Sequence, residues 1–227
     1  MGTTNQFIDT FFRSDLVARY FDDIARATLV TIEVAACVIV TGVGLGLLLA
    51  IIRSYKIRAI NFVIVAFSDI CRSLPPLVLI LLTYFGLPGL GIDLSNFSVL
   101  WIVLSLVLAA FAEEIFWSGI LSVRRGQWEA ARSTGLGYSP TLLFVVLPQA
   151  IRITVPPLTN RTIVIIKNTA LGSVIGVPEI LNVASTAESF VGNITPLTMG
   201  ALAYLALFIP ITVLGRWIEA QFSWTRA

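Results

Sequence analysis

Ionisable residues interrupt otherwise apolar stretches of this chain at a few places, and any chemistry must start there. Glu33 stands alone in the stretch 28–52. Asp69 and Arg72 lie three apart in 59–87, and Glu113 and Glu114 are adjacent in 98–121. Lys167 precedes Asn168 and Thr169 in 153–177. A charge at the centre of a bilayer costs roughly 2.5–3.5 kcal/mol on insertion scales, so each needs a partner or a wet cavity. Asp69 and Arg72 are spaced to pair along one helix face and to fix helix register. Glu114 and Lys167 suit either a structural pair or a solute path. Glu113 and Glu114 are poorly placed for shared acid–base catalysis, because adjacent helical positions point about 100° apart. Histidine is absent, which excludes histidine metal sites, triads and proton relays. Cys37 and Cys71 sit inside apolar runs and read as buried thiols rather than a disulfide framework or a zinc site. No nucleophile has an obvious base, so neither a catalytic nor a metal site is expected.

The elements that must position these groups are membrane spans. The 227 residues are 57% hydrophobic and 12% charged, with a mean hydropathy of +0.91. A soluble domain is about 25% charged. The imbalance excludes a soluble globule, a disordered tail and a nucleic-acid-binding arm, and points to an all-α polytopic membrane protein. Five stretches can cross: 28–52, 59–87, 98–121, 153–177 and 196–215. Pro75-Pro76 predicts a kink in the second, and Gly42, Gly44 and Gly46 predict close packing of the first. Basic residues cluster in connectors one (Arg53, Lys56, Arg58) and three (Arg124, Arg125, Arg132, Arg152) and in the tail (Arg216, Arg226). Connectors two and four carry only acidic charges, Asp93, Glu179 and Glu188. The positive-inside rule then puts the C-terminus in the cytoplasm and the N-terminus outside. Residues 1–27 read as an N-terminal interfacial segment, with helix-period aromatics among charges, and not as a cleaved signal peptide. Residues 28–220 form the transmembrane domain and 221–227 a cytoplasmic tail. Trp101 and Trp217 suit aromatic belts.

Connector three, 124–159, is too long for a simple turn. It predicts two short helices. The first spans Trp128 to Thr134 and stops at Gly135. The second starts with Ser139 as cap and Pro140 at the first helical position, and ends before Pro148. Such a knob either packs its own bundle or docks a soluble partner.

Glu129-Ala130-Ala131, three residues, Gly135 and then Leu147-Pro148 resemble the EAA loop of membrane subunits of binding-protein-dependent ABC importers. The stretches Arg125 to Asn160, Ile165 to Leu181 and Arg72 to Pro88 narrow the resemblance to the polar amino acid permease subfamily. The resemblance runs from about residue 25 to 220. It implies a type I ABC importer fold with a five-helix core, in a bacterial inner membrane. The implied partners are two ATPase subunits, a second permease subunit of the same or a different chain, and a periplasmic or surface solute-binding protein. ATP and magnesium would belong to the ATPase, since no G-x-x-x-x-G-K-[ST] occurs here. Glu129, Ala130, Ala131 and Gly135 would couple to the ATPase. The implied substrate, an amino acid, carries an ammonium and a carboxylate, and Glu114, Lys167, Asn168 and Thr169 would border its path. Relatives often have arginine-glycine where this chain has Trp117-Ser118, and glutamine where it has Leu79. Two other readings are an ion-coupled secondary transporter using the intramembrane carboxylates and an intramembrane enzyme. The first lacks an internal repeat and the second lacks a nucleophile–base pair.

Overall fold

The structure, a computed structural model, describes residues 3–222. Part of the expected tail, 223–227 with Arg226, lies outside the described residues. Helices follow one another in the order α1 (Thr3–Phe11), α2 (Ser14–Ser54), α3 (Arg58–Ser73), α4 (Pro76–Gly86), α5 (Asn96–Ser122), α6 (Arg125–Ser133), α7 (Tyr138–Pro140), α8 (Leu147–Lys167), α9 (Ile180–Val191) and α10 (Thr195–Phe222). No strand occurs among the described residues. Four continuous helical stretches are long and apolar enough to cross a membrane, and the bent pair α3–α4 makes a fifth if taken as one span.

The centre of the bundle is α5 against α2. Residues Ala27, Thr31, Val34, Val38, Gly42, Gly46, Ala50 and Ser54 of α2 are buried, a strip repeating every three or four positions that matches one helix face. A Cβ on Gly42 would stand 2.8 Å from Leu108 Cβ, and one on Gly46 2.5 Å from Ala112 Cβ. These two glycines set the helix separation. Gly44 meets nothing within 4 Å and takes no part in this packing. Leu100, Leu104 and Leu108 of α5, Val34 and Val38 of α2 and Ile80 of α4 form the apolar centre.

Several expected boundaries shift. α2 starts at Ser14, so residues 14–27 are one continuous helix with the first apolar stretch and not a separate one. No proline or glycine interrupts them, and the break falls at Arg13, whose backbone is extended. The kink at Pro75-Pro76 is a turn of 104°. Leu74 is driven extended by the following proline, and Pro76 restarts a helix at its first turn.

The second short helix of connector three starts at Tyr138 after Gly137, so Ser139 is not its cap. It does not stop before Pro148. The chain passes through a wide π-helical stretch, Thr141–Val146, directly into α8. Pro148 has no N–H to offer the preceding turn, and the Gln149 side-chain amide donates to the Val145 carbonyl at 2.6 Å. Beyond Lys167 the helix tightens to a 3₁₀ stretch, Asn168–Ile175, and closes at Gly176 with φ +74°. Trp101 turns its polar edge toward α2. Its indole N–H donates to Thr41 Oγ1 at 3.1 Å, beside a 2.6 Å Thr41–Ser105 hydroxyl contact inside the bundle.

Candidate functional site

α2, α3 and α5 bring five charges into one ladder. Arg53, in the last turn of α2, reaches Glu113 at 2.9 and 3.2 Å and Glu114 at 3.4 Å. Helical side chains lean toward the N-terminus of their own helix, so this arginine, counted from sequence as a cytoplasmic-loop charge, bends back into the bundle. Its guanidinium also stacks 4.8 Å from the centre of the Trp117 ring. Glu113 is fully buried, and Ser68 Oγ of α3 donates to it at 3.1 Å. A carboxylate so enclosed is tolerable only with a partner on each oxygen. Arg72 lies 3.2 Å from Glu114 and 3.7 Å from Asp69. The Asp69–Arg72 pair expected from spacing is therefore present but loose, and Arg72 approaches Glu114 more closely.

The outer end of this ladder opens into a cleft of about 680 Å³ lined by Asp69, Arg72, Phe111, Glu114 and Arg161, with Ser73 and Ile115. Asp69 and Glu114 side chains are 60% and 45% exposed, so their carboxylates look into open space. A second cleft shares Glu114 and Ile115 and continues past Ser118, Ser122 and Thr154 between α5 and α8. Together they present mixed charge followed by hydroxyls, a surface that can hold and pass a small zwitterion.

Of the residues expected to border a path, Glu114 lines both clefts. Lys167 Nζ instead sits 6.0 Å from the Phe208 ring. Thr169 is fully buried, with its hydroxyl donated to the Ile166 carbonyl. Lys167, Asn168 and Thr169 do not line the charged cleft. Sequence reasoning missed Arg53, Ser68 and Arg161. Arg161 offered a signal, being a second cation in the apolar stretch that holds Lys167. Ser68 offered none.

The α6–α7 knob is anchored rather than loose. Trp128 of α6 stacks on Tyr138 with ring centres 5.3 Å apart. The Tyr138 hydroxyl donates to the Ser54 carbonyl at the end of α2, and Tyr55 packs on Tyr138 at 5.5 Å. Ala131 is buried, so its small size suits the packing of the knob itself. Glu129 and Ala130 are exposed, and the Glu129–Arg125 contact of 3.5 Å joins two solvated side chains, worth little. Gly135 has φ +90° and open space around it; the left-handed backbone, not crowding, asks for glycine there.

Glu179 caps α9 by accepting from Leu181 N and Asn182 N, and the Tyr204 hydroxyl of α10 donates to it. Burial pushes its pKa up, partly offset by these donors.

Residues 42–224 match the family described as binding-protein-dependent transport system inner membrane component. A probable glutamine ABC transporter permease of Bacillus subtilis is 35% identical over 197 residues, which cover 85% of this chain and 90% of that protein. An arginine ABC transporter permease of Haemophilus influenzae is 31% identical over 207 residues, 87% and 92% of the two chains. The crystal structure of an amino acid ABC transporter with histidines superposes with a TM-score of 0.81 at 29% identity, over 90% of this chain and 96% of that one. An inward-facing methionine ABC transporter shares the fold, at TM-score 0.65 and 19% identity over 97% and 99% of the two chains.

Proposed function

The chain belongs to the binding-protein-dependent transport system inner membrane component family, and from that premise we propose that it is a permease subunit of an ATP-driven importer of a polar amino acid or close analogue. The observation that carries the reading is the exposed, rigidly anchored α6, with Glu129 and Ala130 outward and Trp128 stacked on Tyr138 beneath. A helix held this way transmits a push, whereas a mobile loop absorbs it. Two ATPase subunits, which hold ATP and magnesium, press on this helix and its counterpart, and their closure favours one arrangement of the spans. Glu129, Ala130 and Gly135 form the contact. Ala131 supports it from behind.

A second permease, the same or a different chain, covers the α3–α5–α8 cleft, because carboxylates as open as Asp69 and Glu114 are not stable against lipid. Substrate then passes between the subunits along Asp69, Arg72 and Glu114. A soluble receptor delivers it from the side of connectors two and four, and connectors one and three with the C-terminus face the cytoplasm. No observation favours ion coupling, and the relatives named for ABC transport weigh against it.

The test is uptake by proteoliposomes holding the assembled transporter, with receptor outside and ATP inside. Uptake of L-glutamine, L-arginine or L-cystine should require ATP and survive ionophores. Uptake that ignores ATP and stops when ion gradients collapse overturns the proposal.

A further inference from the structure

We infer that Arg161 is the anchor for the substrate's carboxylate, an inference that rests on the importer reading and names how its site takes hold. Among the described residues Arg161 forms no ion pair, while Arg53 and Arg72, the other two arginines of the site, each meet a carboxylate. Its position is interior. It stands about two turns into the apolar stretch 153–177, deep enough that its side chain would have to bend toward the helix end to reach water. Yet a cation at such depth needs an anion or a wet cavity. Arg161 lines the charged cleft.

One face of the guanidinium is already used. Its Cζ lies 3.8 Å from the centre of the Phe111 ring, close enough for a strong cation–π contact. Stacking fixes the plane and leaves the edge free. The edge carries the N–H fork that fits a carboxylate with two parallel hydrogen bonds. Opposite charge is available for the other end of an amino acid. Asp69 is 60% exposed, and among the described residues its one ion pair is the 3.7 Å contact to Arg72. The cleft is thus lined by an unspent cation from α8 and a weakly spent anion from α3. A zwitterion satisfies both, with its carboxylate on Arg161 and its ammonium near Asp69.

The experiment compares wild type, Arg161→Gln and Arg161→Lys in the assembled transporter, with receptor saturating and L-glutamine, L-arginine and L-cystine offered separately. Assembly is read by co-purification with the ATPase and by melting temperature. Arg161→Gln should assemble and lose uptake about tenfold or more, the scale of a charge-assisted bond, and Arg161→Lys should recover part of it. Wild-type uptake in Arg161→Gln overturns the inference and leaves the importer reading standing. So does loss of assembly together with uptake in both variants, which marks a packing role, or a lysine variant no better than glutamine. Absence of ATP-dependent uptake in wild type overturns the importer reading and this inference with it.

Discussion

Glu113 is the side chain that can least be changed. It is fully buried and takes both Arg53 and Ser68. Removing one member of a buried pair leaves the other charge uncompensated. Glu113→Ala should lower stability by about 3 kcal/mol or more, seen as a fall in melting temperature and yield, whereas Ser68→Ala removes one hydrogen bond and should cost about 1 kcal/mol. Glu179 makes a different case. Its pKa is raised by burial from the ordinary 4.5, so the folded state holds its proton more tightly than the unfolded one. The stability this gives is full below that ordinary value and is lost as pH rises through the raised one. Glu179→Gln should flatten that part of the pH dependence of melting, measured as the difference from wild type.

At the scale of elements, the contact between α2 and α5 depends on absent side chains. A Cβ at Gly46 would press on Ala112 Cβ at 2.5 Å and on the backbone oxygen of Ala109 at 2.8 Å, and backbone cannot step aside. Gly46→Val should destabilise by about 2 kcal/mol or more through overpacking. Gly44→Ala, facing open space, should be neutral or stabilising by up to about 1 kcal/mol from helix propensity. Parallel melting curves of the two variants check the contrast. Sliding or separating α2 and α5 would also unseat the charge ladder, since Arg53 meets Glu113 only at the register that Gly42 and Gly46 allow.

At the scale of the whole molecule, the proposed ATPase contact on α6 would have to act on the charged cleft. The path is short in chain terms. α6 leans on Tyr138, Tyr138 bonds the Ser54 carbonyl, and the neighbouring Arg53 holds the two glutamates of α5. The two alanines of the loop should therefore separate experimentally. Ala130→Arg, on the exposed face, should leave the chain's melting unchanged and weaken ATPase association about tenfold in pull-down titration, the size of one spoiled interface contact. Ala131→Arg should destabilise the chain itself, because a buried position cannot house a charge.

Much of this was legible in the residues. Hydropathy and helix-breaking residues are local properties, and they located four of the helical spans, the proline break and the helical knob of connector three. The motif at Glu129 to Gly135 points to the family by residue spacing alone. The pairing of charges was not legible. Arg53 reads as a loop cation until the tilt of its side chain and the packing of α2 on α5 bring it to Glu113. Lys167 and Arg161 share one apolar stretch, and only the rotation of α8 decides that Arg161 meets the cleft while Lys167 meets Phe208. A linear sequence sets which groups must be buried, because transfer energies belong to single residues. Which groups meet is set by interhelical register, a property that no single stretch of chain possesses.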